Sequence, residues 1–403
     1  ADMGVVLAKG IVFSFLSVLF LLPVMVLLSE KLLQRTAHRK FLPSFDKFAK
    51  WCMRLSIPFT LIAALIVVPA FLGSRNTEYV YGASGFVEPG SQLYEDTELI
   101  EETFNASGQC AVLVPEGQWG KEKELVAALD TLPHVSSITS YVTTVSERIP
   151  TDMVPPASLE SLISGGYSRI IIATDLRGES PEAFELVQRI RDLCQLYYPD
   201  EAKLIGSTVT SYDMSLIVND DSARVLFASI IAIGLVLLLM FRSLSIPLIL
   251  LLTIESSIWI NLAIPYFAGE TIQYIGYLII SAIMLGATVD YTIILTRSYL
   301  DKRRVQPKRQ AITEAISRSA ITILTSATIL TLCGAFIGLI SSNGVIASLG
   351  TLIGRGAFIA ALNTFLLLPM LFMIFDRVIE KTTLGTHFYK QPYKQPLEEK
   401  VGR

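Results

Sequence analysis

The chain has 403 residues, of which 52% are hydrophobic, and its mean hydropathy is +0.53. Values this high exclude an ordinary soluble protein and indicate that much of the chain faces lipid. The net charge of −3 comes from 33 basic and 36 acidic side chains, which excludes a generally basic nucleic-acid-binding protein.

Apolar windows long enough to cross the hydrocarbon core of a bilayer occur seven times. They are Lys9–Leu28, Met53–Leu72, Val225–Phe241, Ile246–Phe267, Ile272–Thr296, Ile316–Leu339 and Gly354–Phe375. The first window is followed by basic residues and not by a small-residue cleavage site, so we interpret it as a membrane helix and not as a signal peptide. The sequence therefore predicts an α-helical polytopic membrane protein with seven spans.

Charge is distributed unevenly along the chain. Residues 73–222 contain 9 basic and 24 acidic residues, whereas the rest of the chain contains 24 basic and 12 acidic residues. The excess basic residues collect in 29–50, 302–309 and 377–403, which lie on one side of the membrane if the spans alternate. Because basic loops stay cytoplasmic, residues 73–222 are predicted to form an extracytoplasmic domain.

Short apolar strands alternate with amphipathic helices in this outer domain. Strands are predicted at Gln109–Pro115, Val135–Thr143, Ser168–Asp175 and Ala202–Ser207, and helices at Lys121–Leu132, Ser158–Ile163 and Pro181–Tyr198. Two βαβ units in succession predict a ferredoxin-like α/β domain, a fold that by itself identifies no function. A helix over Tyr212–Ser222 is predicted to run into the third span.

The first and last spans match each other at a constant offset of 346 residues. The identical positions are Gly4, Gly10, Leu16, Leu21, Leu22, Pro23 and Thr36, which meet Gly350, Gly356, Leu362, Leu367, Leu368, Pro369 and Thr382. Charged flanks keep the same register, with Lys9 opposite Arg355, Glu30 opposite Asp376 and Lys31 opposite Arg377. We therefore expect the first span to be the last helix of an earlier repeat, and the chain to be a fragment of a protein about twice as long as one repeat.

This repeat predicts six segments. They are a last transmembrane helix of the preceding repeat (1–28), a cytoplasmic basic linker (29–50), a first helix of the second repeat (51–72), the extracytoplasmic α/β domain (73–222), a five-helix transmembrane bundle (223–376) and a cytoplasmic basic tail (377–403).

Asp290 lies inside the fifth span, within Gly286-Ala287-Thr288-Val289-Asp290-Tyr291. A carboxylate near the bilayer centre costs about 2.5–3.5 kcal/mol even on the lenient insertion scale, so it normally faces protein or water. Gly286 and Ala287 would let a neighbouring helix approach closely. Two interpretations stay open: Asp290 binds and releases a proton, or a hydrogen bond to the neighbouring helix holds it in a structural role.

Hydroxyl side chains on the sixth span form a candidate surface facing Asp290. Ser319, Thr322 and Ser326 share one helical stripe, and Thr325, Thr328 and Thr331 lie beside it. Such hydroxyls can bond a carboxylate or carry a water file, but more often they bond back to their own helix.

Other polar residues within the spans have equally open interpretations. Glu255, in the fourth span, is either a second titrating group or a protonated side chain bonded within the bundle. Arg355 and Lys9 fall at the outer ends of their predicted spans, where snorkelling to the interface is the expected behaviour.

Metal and nucleotide chemistry find no support in the sequence. His38, His134 and His387 are scattered, and no GxxxxGK[ST] loop occurs, so we expect no cofactor and no metal. A bridge between Cys110 and Cys194 of the outer domain stays open, because their spacing does not argue for it.

One helix, an outer α/β domain, five more helices and an intramembrane Asp-Tyr pair together resemble the resistance-nodulation-division superfamily, and most closely its MMPL branch. Residues 286–297 are similar to that branch's G-x-x-x-D-Y-x-x-x-L-x-x-R signature, except that Arg297 comes one residue early. The segments Ser319–Thr331 and Gly354–Pro369 resemble the two helices that follow. The resemblance extends from Lys9 to Phe375.

The resemblance implies a porter-type outer domain and a multi-pass protein of the bacterial cytoplasmic membrane that exports lipid or other amphipathic cargo with protons as coupling ion. Carried over by position, Asp290 would be the proton carrier and Tyr291 its hydrogen-bonding partner, with support from Ser319, Thr322, Thr325, Ser326 and Glu255. The expected partners are a hydrophobic substrate, membrane lipids and the amino-terminal half of the same protein. A homo-oligomer stays open, and nucleic acid is not expected.

Three alternatives remain at this point. A membrane sensor or assembly factor would bind a lipid or an envelope partner without transporting it and would need no titrating Asp. An accessory motor of protein secretion would use the same architecture. An enzyme is the weakest alternative, because the outer domain offers no arranged pair of carboxylates.

Overall fold

A computed structural model describes residues 2–35, 44–77, 79–82, 92, 95–96, 99–100, 103, 108–145, 153–176, 178–385 and 388–389. The chain divides into two compact units, 1–45 and 46–403. The first unit contains α1 (Asp2–Leu16), a π-helical turn (Ser17–Leu21), α2 (Leu22–Leu28) and α3 (Glu30–Arg35). Its apolar stretch Ala8–Leu28 is long enough to cross a membrane, as the sequence predicted.

The second unit begins with α4 (Asp46–Arg75), a 30-residue helix, and the short strand β1 (Tyr79–Val80). The α/β domain follows. It contains β2 (Gly108–Pro115), α5 (Trp119–Asp130), β3 (Val135–Thr139), α6 (Tyr141–Thr144), α7 (Pro156–Leu162), β4 (Ile163–Ser164), β5 (Tyr167–Thr174), α8 (Pro181–Tyr197) and β6 (Lys203–Gly206).

The sheet of this domain has the strand order β3-β5-β2-β6, with antiparallel pairing throughout and β4 added to β5. This is the ferredoxin-like order that the two βαβ units predicted. Alternate residues of β2 and β5, including Val112 and Ile172, are fully buried and pack with α5 and α8 residues such as Leu125 and Ile190. One layer of helices over an antiparallel sheet therefore supplies the core.

The predicted strand Val135–Thr143 is too long. β3 ends at Thr139, because Ser140 adopts an extended conformation and caps the short helix α6 through a capping box with Thr143. Tyr141 is fully buried and packs against the Trp119 ring, with a centroid distance of 4.5 Å and an angle of 32° between the ring planes. Burial of this ring makes α6 turn inward where the apolar alternation alone predicted a strand.

Cys110 on β2 and Cys194 on α8 are both buried free thiols. Burial raises the pKa of Cys110 to about 11. Burial, with a smaller contribution from Cys110, raises the pKa of Cys194 to about 12. The bridge that the sequence left open is not formed in this structure.

Five long helices complete the chain: α9 (Ser207–Phe241), α10 (Ser245–Ala268), α11 (Tyr274–Arg303), α12 (Lys308–Ile340) and α13 (Gly344–Thr382). A short strand β7 (Ile272–Gln273) precedes α11 where the sequence predicted the span to begin. Together with Ala8–Leu28 and α4, the described residues contain seven helices long and apolar enough to span a membrane. The helices extend beyond the predicted windows, because the windows followed only the apolar residues.

Several described contacts connect the α/β domain to the bundle. α9 starts directly after β6 and continues without a break to Phe241, confirming the helix predicted to run into the third span. β1 pairs in parallel with β7 next to the start of α11. Glu179 accepts hydrogen bonds from the Tyr81 backbone N–H (2.6 Å) and the Ser211 hydroxyl (2.8 Å), so one carboxylate joins β1, the α/β domain and α9.

Helices α12 and α13 pack closely through small residues. A Cβ added at Gly334 would lie 2.5 Å from the backbone N of Gly354 and 2.6 Å from the carbonyl O of Gly350. Only hydrogen fits at such a contact, as in the small-residue interfaces of other membrane helices.

Candidate functional site in the transmembrane helices

α11 carries the candidate signature and presents Asp290 on one exposed stripe. Ala282, Gly286, Asp290 and Arg297 are all exposed, and their spacing places them on one side of the helix. A Cβ added at Gly286 would meet no atom within 4 Å in the described part of the chain. The close helix approach expected at Gly286 is therefore absent here, whereas Gly334 and Gly354 make such a contact between α12 and α13.

Tyr291 points in a different direction from Asp290. It is only 2% exposed, and its hydroxyl has no hydrogen-bond partner among the described residues. Successive helical residues lie about 100° apart, which turns Tyr291 into the bundle while Asp290 faces outward. The hydrogen bond that the family resemblance implied between the two side chains is thus not present among the described contacts.

The hydroxyl stripe of α12 is divided between two environments. Ser319 is buried and donates a 2.7 Å hydrogen bond to the carbonyl O of Ala315, one turn earlier in its own helix. Thr322, Thr325 and Ser326 are exposed on the helix surface. Ser319 therefore follows the self-bonding alternative, while the other three hydroxyls are accessible to a partner from outside the described bundle.

Glu255 is a buried carboxyl group of α10, next in sequence to two serines that contact α13. It is 5% exposed, and its Oε1 has no hydrogen-bond partner in the described chain. On the facing helix α13, Asn363 donates hydrogen bonds to Ser257 (2.8 Å) and Ser256 (3.3 Å). No described hydrogen bond or ion pair joins Glu255 to Asn363 or to Asp290, so the described residues do not combine the two carboxylates in one site.

Arg355 corrects the sequence interpretation. α13 begins at Gly344, so Arg355 lies about 16 Å inside the helix and not at its outer end. Its Nε donates to the Asn261 side-chain oxygen (2.8 Å) and its Nη2 to the Asn261 backbone carbonyl (3.0 Å). A cation so far from the helix end binds a buried polar partner instead of snorkelling to the interface.

A charged network that the sequence analysis missed closes the end of the bundle opposite the α/β domain. Asp376 of α13 accepts hydrogen bonds from Arg303 Nε (2.9 Å), Arg303 Nη2 (3.0 Å) and the Tyr299 hydroxyl (2.6 Å). Lys302 and Arg318 form ion pairs with Glu314 nearby. Arg303 and Asp376 are 73 residues apart, and both had been assigned to the flanks of spans, so no local signal linked them.

The exposed stripe of α11 carries two charged side chains of opposite sign. Asp290 is the carboxylate of the candidate signature, and Arg297 is the nearest cation on its stripe, about 10 Å further along the helix axis. Within the described ranges, no three His, Cys, Asp or Glu side chains lie close enough together to hold a metal ion. A carboxylate exposed at membrane depth can gain or lose a proton if a facing surface supplies polar or aqueous contact.

Solved structures show the same fold. A heavy metal efflux pump superposes with a TM-score of 0.51 at 13% identity, over 82% of this chain and 49% of that chain.

Curated relatives come from Mycobacterium and Streptomyces. The sulfolipid-1 exporter MmpL8 of Mycobacterium tuberculosis is 26% identical over 267 residues, which are 63% of this chain and 23% of that protein. A putative membrane protein of Streptomyces coelicolor is 22% identical over 253 residues, 61% of this chain and 29% of that protein. The chain thus spans about a quarter of the length of the relatives it matches.

The sequence profile of the MMPL family matches residues 86–390, which include Asp290, the α/β domain and the five-helix bundle. The match covers well over half of the chain and agrees with the fold and the resemblance. This protein belongs to the MMPL family.

Proposed function

We propose that this multi-pass protein of the cytoplasmic membrane exports lipid or other amphipathic cargo, and that Asp290 binds and releases the proton that drives each cycle. The observation that carries the proposal is the position of Asp290 within the 25-residue apolar span Ile279–Arg303, on an exposed stripe of α11. The name of MmpL8, a sulfolipid-1 exporter, supports a lipid-like cargo.

The exposure of Asp290 argues that other protein covers it in the working transporter. Contact with hydrocarbon would cost about 2.5–3.5 kcal/mol for the charged group. Ala282 and Gly286, on the same stripe, leave room for a facing helix. We propose that the amino-terminal half of the same protein supplies that helix, so that the proton site lies at the boundary between the two halves.

The contacts of α11 supply a route from this site to the α/β domain. Neutralising Asp290 would weaken its attraction to polar partners across the boundary and change the preferred position of α11. β7 leads directly into α11 and pairs with β1, while Tyr277 of α11 packs against Tyr79 of β1 at 4.9 Å. A shift of α11 therefore reaches the segment that Glu179 ties to the α/β domain and α9.

The membrane potential contributes energy to such a step. Moving one elementary charge across the membrane releases about 2.3 kcal/mol per 100 mV, before any contribution from the pH gradient.

Vesicle transport with the full-length protein tests the proposal. Cargo flux and proton uptake are measured together under an imposed pH gradient for Asp290→Asn, Asp290→Glu and the matched control Asp301→Asn, an exposed carboxylate at the end of the same helix. We expect Asp290→Asn to abolish both signals, Asp290→Glu to retain part of each, and the control to match the parent protein.

Unchanged coupled flux in Asp290→Asn would refute the assignment of the proton site. Flux that persists after the pH gradient and the membrane potential are both collapsed would refute proton coupling altogether.

A further inference from the structure

An apolar cavity of about 330 Å³ lies between α4, α12 and α13. Phe48 and Trp51 of α4, Thr328 and Leu332 of α12, and Ala361 and Phe365 of α13 are among its lining residues. Its volume is within the range of pockets that bind small organic molecules. The Phe48 ring meets the edge of the Phe365 ring at 5.3 Å, so aromatic packing holds the cavity wall in place.

The cavity opens sideways toward the lipid. Trp51 is 55% exposed, Leu332 51% and Phe358 54%, and these three side chains belong to three different helices around its mouth. An apolar opening at this depth suits a hydrocarbon chain and excludes a charged or strongly hydrated ligand.

The mouth extends from the cytoplasmic end of α4, at Trp51, toward the middle of the bundle. Asp46, the first residue of α4, accepts a 2.8 Å hydrogen bond from Ser317 of α12, at the end of the bundle opposite the α/β domain. Trp51 is five residues further along α4, about 7.5 Å deeper. This is the depth at which tryptophan rings collect at the membrane interface.

Basic side chains surround Trp51 on the exposed side of α4. Lys47 and Arg54 lie one turn before and one turn after it, and Lys50 is its neighbour in sequence. All three are exposed, and none has an ion pair or side-chain hydrogen bond within the described part of the chain. Three such cations beside an apolar mouth are complementary to a phosphate group above a hydrocarbon chain.

We propose that the cavity binds one acyl chain of an anionic phospholipid of the cytoplasmic leaflet, with its phosphate held between Lys47 and Arg54. The cytoplasmic leaflet is rich in anionic lipids, and basic pockets between membrane helices on that side bind their head groups. The site is distinct from the Asp290 stripe of α11, and the proposal does not depend on proton-driven export.

Photolabelling of the full-length protein in vesicles tests the proposal. The probe is phosphatidylglycerol with a diazirine near the end of one chain, compared with phosphatidylcholine carrying the same chain, and labelled peptides are identified by mass spectrometry. We expect adducts within 324–332 and 358–366, formed more efficiently by the anionic probe. Replacing Lys47 and Arg54 by Gln should lower that preference roughly fivefold for each cation removed.

Thr328→Phe, which places a ring in the cavity from an exposed position, should reduce labelling of these segments severalfold. Ile329→Phe is the matched control, because Ile329 is 58% exposed on the same helix and does not line the cavity. Equal labelling by the two probes would refute the phosphate site, and equal labelling of the two variants would refute the chain in the cavity. No labelling of either segment by either probe would show that protein covers the mouth, which also overturns the proposal.

Discussion

Asp376→Ala tests the charged network at the cytoplasmic end of the bundle. In the parent protein, Arg303 and Asp376 are both less than 10% exposed and meet in a two-pronged ion pair, to which Tyr299 adds a 2.6 Å hydrogen bond. Removing the carboxylate leaves Arg303 buried with the backbone carbonyls of Gln306 and Tyr389 and the face of the Phe388 ring as its partners among the described residues. Breaking a buried pair in this way destabilises a protein by about 3–5 kcal/mol.

Two further variants separate the contributions of the tyrosine hydrogen bond and of the ion pair to this loss of unfolding free energy. Tyr299→Phe removes a single hydrogen bond to a charged acceptor and should cost about 1.5–3 kcal/mol. Arg303→Lys keeps the charge but loses the planar pair of donors, so it should fall between Tyr299→Phe and Asp376→Ala.

Unfolding by SDS in mixed micelles measures these free energies. Asp301→Ala serves as the control, since it removes an exposed carboxylate from the same helix and should change stability by no more than about 0.5 kcal/mol. If Asp376→Ala unfolds at the same SDS fraction as Asp301→Ala, the network does not stabilise the bundle and the reasoning fails.

Two other predictions concern buried positions. Burial raises the pKa of Glu122 in the α/β domain. The stabilising contribution of the protonated side chain is therefore fully present below the ordinary pKa of 4.5, and it is lost as the pH rises through the raised pKa of the folded protein. Glu122→Gln should therefore be more stable than the parent at neutral pH and equally stable near pH 4 in thermal unfolding, and equal stability at both pH values would contradict this. Gly334→Ala should cost about 1–3 kcal/mol because its methyl group would overlap Gly354. Gly286→Ala, with open space around it, should not destabilise this chain, and equal losses in the two variants would rule out the close α12–α13 contact.

The seven spans and the strand order of the α/β domain were predictable, because both follow from local patterns. A run of about 20 apolar residues identifies a span without any knowledge of its neighbours. Period-two alternation placed β2 and β5, and the order of elements then selected the ferredoxin-like sheet. The pattern failed at Ser140, where a hydrogen-bonded cap and the burial of Tyr141 override the alternation.

The candidate site was predictable only in part. The position of Asp290 within an apolar span is a property of the sequence, but the direction of its side chain depends on which helices pack against α11. The same limit applies to Arg355. The helix α13 begins ten residues before the apolar window Gly354–Phe375, so Arg355 lies well inside the helix and not at its end. Partners distant in sequence, such as Asn261 for Arg355, leave no local signal.

The unbroken run of α9 has a geometrical consequence. Its 35 residues form a rod about 52 Å long that begins at the edge of the sheet and ends at the far side of the bundle. Such a rod acts as a lever: a tilt of about 10° around its lower end would carry the upper end about 9 Å sideways. Small rearrangements of the helices that pack against α9 would therefore become ångström-scale displacements of the α/β domain.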